Sequence, residues 1–253
     1  MSNTNEVDIY ILASGKGTRM GELTATTPKP LLPLHEKPII RRLLGYLLNR
    51  EIFNISVNYA YLKEKWQSLI KEYNSVSFFN TSSNKNIVQC FFNMIMQNEC
   101  IHNTIVLMSA DIFFDYRIIE EAIKHHNAKN HKVTVVLNKN CGKWKRWKYI
   151  IESDEIFNIQ IADDIQPVER YFLIFSANAL TQYTNNFTTN IGENNEEFMN
   201  NIAYGQGLCF LVKNMLDAGI KINTIFYENK LININNIDDY REAEALAAEL
   251  DIG

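Results

Sequence analysis

Short apolar runs alternate with longer amphipathic ones through the first half of the chain. Val7–Ala13 (VDIYILA) is a nearly continuous apolar run that ends in glycines, the pattern of a strand buried on both faces. Ile39–Leu48 carries its apolar residues at helical spacing and follows Pro38, a good helix-start residue. The alternation continues with strands over Ile55–Tyr59, Val76–Phe79, Thr104–Ser109 and Val133–Leu137, and helices over Lys63–Tyr73, Val88–Gln97 and Tyr116–Asn127. It predicts an α/β fold, a Rossmann-like, mostly parallel or mixed sheet flanked by helices and joined by right-handed crossovers. Ligands of such sheets sit beyond the carboxyl ends of the strands. The glycine loop after the first strand is in such a place.

The second half is less regular. Trp147–Ser153, Ile156–Ile161 and Tyr171–Ser176 read as antiparallel strands, Leu208–Ala218 as a helix, Ile222–Phe226 as a strand and Ile237–Leu250 as a closing helix. Asn185–Glu197 is polar and reads as a mobile loop, open as to whether it acts as a lid. No long linker or internal repeat divides the 253 residues, so one domain is expected over 1–253.

A hydrophobic content of 46% suffices for one substantial core. A formal net charge of -4 argues against nucleic acid or an anionic membrane as partner, so local basic residues must do any phosphate binding. Cys90, Cys100, Cys141 and Cys209 are too scattered for a metal cluster or a disulfide scaffold. The polar, acidic start, Met1–Asp8, is unlike a signal peptide, and no apolar run reaches the length of a membrane span. A soluble cytoplasmic protein is expected.

The chemistry concentrates in Leu12–Pro38, LASGKGTRMGELTATTPKPLLPLHEKP. Gly15 and Gly17 permit positive φ and close approach of the backbone, and successive N–H groups in such a turn can cradle an anion. Arg19 adds a permanently charged, forked donor suited to phosphate. Lys29, between Pro28 and Pro30, is expected on an extended backbone, placed to offset charge at a reacting phosphorus. The loop lacks the Gly-Lys-Ser/Thr of a Walker A motif and the third glycine of a dinucleotide fingerprint.

This segment resembles the nucleotidyltransferases that make nucleotide sugars and related activated alcohols. Their signature, G-x-G-T-R, a gap, then P-K-P, is complete here, with Ser14 where the family often has alanine. The resemblance implies the nucleotidyltransferase (GT-A-like) fold and a Mg²⁺-dependent transferase. It also implies nucleotide contacts from Leu12, Ala13, Ser14, Gly15, Lys16, Gly17, Thr18, Arg19 and Lys29. Residues 1–137 would form the nucleotide-binding part, and 138–253 the acceptor-binding part and closing helix. Asp111, after the strand Thr104–Ser109, matches the family's strand-Gly-Asp pattern with Ala110 for glycine; it reads as a metal ligand or as a turn aspartate. Asp115 suits a helix cap. Near the end, Ile234–Tyr240 aligns with a family segment that puts Asn235 at the second metal-ligand position and Asp239 at the start of a helix. The alternative for Asn235 is a plain turn.

Asn84–Phe92 resembles the subgroup acting on choline phosphate and similar small acceptors, with Asn86 at a shared asparagine and Gln89 in place of a serine. Amides can read a pyrimidine edge, which points to CTP; simple solvent exposure is the other reading. Tyr59 or Tyr61 is a candidate pocket wall. Gly142–Tyr149 (GKWKRWKY) reads either as an anion site, with Arg146 and Lys148 as acceptor contacts, or as a solvated basic turn. Arg170 is a third acceptor candidate. In length and overall pattern the chain is similar to the phosphoglutamine cytidylyltransferases of capsular phosphoramidate synthesis. Phosphocholine, or another polyol or sugar phosphate, is the competing acceptor, and a non-catalytic CTP sensor the competing class. Oligomeric state stays open, a homodimer being one option.

Overall fold

The computed structural model describes residues 7–83, 86–98, 102–139, 147–161, 169–191 and 208–251. In chain order the elements are β1 (Val7–Leu12), β2 (Pro33–Leu34), β3 (Lys37–Pro38), α1 (Ile39–Leu48), β4 (Phe53–Tyr59), α2 (Gln67–Glu72), β5 (Ser77–Asn80) and α3 (Ile87–Gln97). They continue with β6 (Thr104–Ser109), β7 (Ile112–Phe114), α4 (Arg117–Ala128), β8 (Val133–Asn138), β9 (Trp147–Glu152), β10 (Glu155–Ile161), β11 (Glu169–Ser176) and α5 (Ala177–Ile191). The last are α6 (Leu208–Asp217), β12 (Ile222–Tyr227), β13 (Leu231–Asn233) and α7 (Ile237–Asp251).

Nine strands form one sheet in the order β5-β4-β1-β6-β11-β8-β12-β10-β9. The pairs β5–β4, β4–β1, β1–β6 and β8–β12 are parallel. β11 runs antiparallel between β6 and β8, and the β9–β10 hairpin is antiparallel to β12. The sheet is therefore mixed, and the antiparallel expectation for the second half holds.

Alternation along β1 explains the layering. Ile9 and Ile11 face one core with Leu43 and Leu44 of α1 and Ile118 and Ile119 of α4. Tyr10 and Leu12 face the other with Phe91 of α3, Tyr183 of α5 and Val212 of α6. Period-2 side chains buried on both faces need helices on both sides. Each fully buried Ile or Leu stabilises the fold by about 1.5–3 kcal/mol. A third, smaller core packs Met20, Leu34 and Ile39 against Phe113, Ile232, Ile234, Ala243 and Ala247. It clamps the signature loop to the closing helix.

Two expectations need correction. Asn185–Ile191 is the end of α5 rather than loop; the rest of the expected loop, 192–197, lies outside the described residues. Lys29 is not on an extended stretch: Lys29–Leu31 close a 3-10 turn, with Leu31 N–H donating to the Pro28 carbonyl at 2.8 Å. Among the described residues no helix is long and apolar enough to cross a membrane.

Candidate active site

Three parallel strands end side by side. Leu12 of β1 is in register with Asn58 of β4 and Ser109 of β6, and the Ala110 N–H donates to the Leu12 carbonyl at 2.9 Å. Past that level the chains diverge, leaving a cleft of about 590 Å³. Leu12, Ala13, Ser14, Gly15, Lys16, Lys29 and Asp111 all line it, joined by Tyr61, Thr81, Ser82, Asn86 and Cys90.

Gly17 carries the conformational demand of the loop. Its φ is 65°, and a Cβ there would meet Thr24 Cγ2 at 3.1 Å and Lys29 Cβ at 3.2 Å. The bare glycine thus lets the loop backbone lie against Lys29. Gly15 differs from expectation: it has no positive φ, and a Cβ on it would meet nothing within 4 Å. Thr24 Oγ1 donates to the Gly17 carbonyl at 2.9 Å, and the Tyr61 hydroxyl donates to the Thr24 carbonyl at 2.9 Å, which ties the loop down from both sides.

Lys29 is 7% exposed. A buried ammonium needs partners, and its Nζ donates to Asp111 Oδ2 and, at 2.8 Å, to the Ile234 carbonyl. Asn235 is carried to the same place by a short ribbon in which β13 pairs antiparallel with β7, continued by the Ile234 N–H donating to the Asp111 carbonyl at 2.9 Å. Asn236 and Asp239 then form a reciprocal cap on α7. Asn236 Oδ1 accepts from the N–H groups of Asp238 and Asp239, while Asp239 Oδ2 accepts from those of Asn235 and Asn236. The Tyr240 hydroxyl also donates to the Pro33 carbonyl, pinning α7 to the segment after Lys29. The cap fixes the backbone beside Asn235, whose Oδ1 accepts from Arg19 Nη2 at 2.8 Å.

The four residues placed at the chemistry therefore meet as two pairs, Lys29 with Asp111 and Arg19 with Asn235. A smaller cavity of about 130 Å³ also borders Asp111 and Asn235, lined by Ser109, Arg170, Leu208 and Asn233 among others. Ser109 and Asp111 border both cavities. Arg170 Nη1 lies 2.8 Å from the Cys209 sulfur.

The remaining expected residues divide. Thr18 is exposed at the start of a 3-10 helix, and Ala110 is buried between the strand ends. Asn86 borders the large cleft, but its Oδ1 caps α3 by accepting from the N–H groups of Val88 and Gln89. Gln89 is buried on α3 and does not line the cleft. Tyr61 is a cleft wall, whereas Tyr59 packs on Trp66. Asp115 accepts from the Arg117 N–H at the start of α4, where the Arg117 guanidinium holds its carboxyl below the usual carboxylate range. Lys148 is on edge strand β9, five strands from β6; Arg146 lies outside the described residues. Cys90 and Cys209 are buried. Sequence reasoning missed Asn58, Thr81 and Ser109, whose places in the site are set by strand register and not by a motif.

Residues 9–143 match the family described as Nucleotidyl transferase, more than half of the chain. The chain belongs to that family. Other nucleotidyl transferases resemble it to different extents. It is 40% identical over 75 residues to the 2-aminoethylphosphonate cytidylyltransferase of Lancefieldella rimae, covering 30% of each chain. It is 28% identical over 168 residues to the choline-phosphate cytidylyltransferase of Haemophilus influenzae, covering 64% of this chain and 65% of that one. The chain thus spans less than two thirds of the length of either curated relative. The structure of the CTP:phosphocholine cytidylyltransferase of Streptococcus pneumoniae superposes with a TM-score of 0.68 at 19% identity, covering 96% of this chain and 99% of that one. At that identity the likeness shows the nucleotidyl transferase fold.

The donor set of this nucleotidyl transferase suits a hard divalent cation. Mg²⁺ takes oxygen ligands, often one or two from protein and the rest from water and substrate phosphates. The Asp111 carboxylate and the Asn235 amide oxygen border one cavity and supply that minimal pair.

Proposed function

We propose that this nucleotidyl transferase is a cytidylyltransferase that moves CMP from CTP to a small phosphorylated acceptor, and that the acceptor is L-glutamine phosphate. The observation that carries the reading is the arrangement of two cavities about one pair of residues, Ser109 and Asp111. The larger cavity takes the nucleotide and the smaller takes the acceptor, so donor and acceptor phosphates meet at Asp111. In this reading residues 1–137 bind nucleotide, while 138–253 supply Arg170, Asn235 and the closing helix.

The reaction is a single displacement. An acceptor phosphoryl oxygen attacks the α-phosphorus of CTP, a new P–O bond forms, and the bond to the β-phosphate oxygen breaks to release pyrophosphate. The terminal phosphoryl group of the acceptor, whether acyl- or amide-linked to glutamine, carries its negative charge on oxygen at neutral pH, as a phosphate monoester with a second pKa of about 6 does, and needs no general base to attack. The protein's task is positioning and charge stabilisation. The Gly15–Gly17 turn and Arg19 hold the triphosphate tail, and Arg19 follows the departing pyrophosphate. Lys29 leaves Asp111 for the oxygens of the reacting phosphorus. Asp111 and Asn235 would hold Mg²⁺, which would supply charge neutralisation at the phosphates.

Arg170 favours an acceptor bearing a carboxylate. A guanidinium facing the small cavity pairs with the α-carboxylate of glutamine and repels the quaternary ammonium of choline. Similarity to enzymes named for choline phosphate and 2-aminoethylphosphonate supports the competing acceptors, which lack a carboxylate. Pyrophosphate release from CTP with phosphoglutamine, phosphocholine and 2-aminoethylphosphonate separates them. We expect turnover with phosphoglutamine and, in Arg170→Ala, a KM for it raised about 10-fold or more with CTP binding retained, as for a lost charge-assisted pair. Preference for phosphocholine, or an unchanged KM, contradicts the acceptor assignment. CTP binding without release for any acceptor identifies a nucleotide sensor.

A further inference from the structure

A chain of hydrogen bonds of fixed polarity runs under the nucleotide cleft. Asn58 is fully buried at the end of β4, and its Oδ1 accepts the Ala13 N–H at 2.6 Å. A backbone N–H can only donate, so the amide oxygen must face Ala13 and the amide nitrogen must face the other way. That nitrogen donates one proton to Ser14 Oγ at 3.1 Å and the other to Thr81 Oγ1 at 3.1 Å. Thr81 passes its own proton to the Tyr59 carbonyl at 3.5 Å. Ser14 accepts from Asn58 on one lone pair and keeps one O–H to give and one lone pair. Ser14 lines the cleft, and its other neighbour is the Cys90 sulfur at 3.9 Å, a weak partner of either sense. Asn58 presents only an N–H to Ser14, so the Ser14 proton turns away from it and is available for donation into the cleft at the end of β1.

Pyrimidines differ at ring position 3. Cytosine N3 is an acceptor there, whereas uracil carries a proton. We propose that Ser14, held as a donor by Asn58, selects cytosine over uracil by donating its hydroxyl proton to N3 of the bound nucleotide. The inference rests on CTP being the nucleotide substrate and adds the residue that makes the choice. Alanine at this position would leave the choice to other groups, so serine here is a specificity device.

Two variants of the full chain test it by equilibrium binding of Mg·CTP and Mg·UTP, read by calorimetry with thermal melts as folding controls. Wild type is expected to bind CTP more tightly than UTP. Ser14→Ala should weaken CTP by about three- to tenfold, the worth of one neutral hydrogen bond, and leave UTP nearly unchanged. Asn58→Asp should do more than erase the preference. An ionised carboxylate only accepts, so Ser14 would donate inward and turn its lone pairs to the cleft, matching uracil's N3–H; the CTP:UTP ratio should move toward UTP. A wild type without CTP preference refutes the CTP reading and this inference with it. A wild type that prefers CTP, with the same ratio in Ser14→Ala, overturns this inference alone. If Asn58→Asp does not fold, Ser14→Ala decides the matter.

Discussion

Replacing Gly17 by alanine tests how the loop positions Lys29. The residue sits at φ 65°, where an L side chain costs about 1–2 kcal/mol. The new methyl would also press on Thr24 Cγ2 at 3.1 Å and Lys29 Cβ at 3.2 Å. Those atoms must give by a few tenths of an ångström, and crowding of that kind costs on the order of another 1–2 kcal/mol. The sum, about 2–4 kcal/mol, corresponds to a fall in Tm of roughly 5–10 °C for a chain this long. Lys29 is the group displaced, so pyrophosphate release should fall by about tenfold or more even where the variant is fully folded. Gly15→Ala is the matched control, with no positive φ and no atom within 4 Å of the added Cβ. It should change stability by less than about 0.5 kcal/mol. Melting curves and release rates for the two variants form the assay. Equal losses of stability in Gly15→Ala and Gly17→Ala would refute the reasoning from φ and contact.

Lys29→Ala should lower turnover about 100- to 1,000-fold while CTP binding changes far less, since Lys29 is assigned to charge that develops at the reacting phosphorus; unchanged turnover removes that role. Asn235→Asp adds a charge to the metal site and should lower the half-saturating Mg²⁺ concentration by roughly tenfold; an unaltered Mg²⁺ dependence argues that Asn235 is no ligand. His126 is buried, with Nδ1 at 2.8 Å from Thr134 Oγ1, and burial, with smaller contributions from His131 and His125, pushes it down to about 4. Its folded pKa lies below the unfolded value of about 6.5, so its stabilisation is complete above that pH and is lost as pH falls toward 4; the loss amounts to about 3 kcal/mol. Denaturant midpoints at pH 7 and 4.5 should therefore move less in His126→Gln than in wild type, and an equal shift contradicts the assignment.

The sheet and most helices were legible because their burial pattern is periodic. Ile9 and Ile11 against Tyr10 and Leu12 report two buried faces directly, and α1 begins and ends where its apolar spacing does. Helix α5 is illegible throughout, and its end reads as a loop, because Thr, Asn and Phe dominate it there, residues of modest helix propensity. Ala179, Leu180 and Tyr183 anchor its first half in the core. The β7–β13 ribbon is three residues long on each strand, too short for any period to show, yet it brings Asn235 beside Asp111. Gly17, Arg19, Lys29 and Asp111 were legible because fixed spacings identify them. Asn58 was not, because its role depends on register: only the pairing of Leu12 with Asn58 puts its amide under Ala13.

Pyrophosphate release coupled to mass detection of the nucleotide product measures the transfer itself. With Mg²⁺, CTP and phosphoglutamine, we expect stoichiometric pyrophosphate and a cytidine-nucleotide-linked product. Release should depend on the acceptor and be nearly absent in Lys29→Ala. CTP bound without release across all three acceptors, or release that is faster with UTP than with CTP, would contradict this expectation.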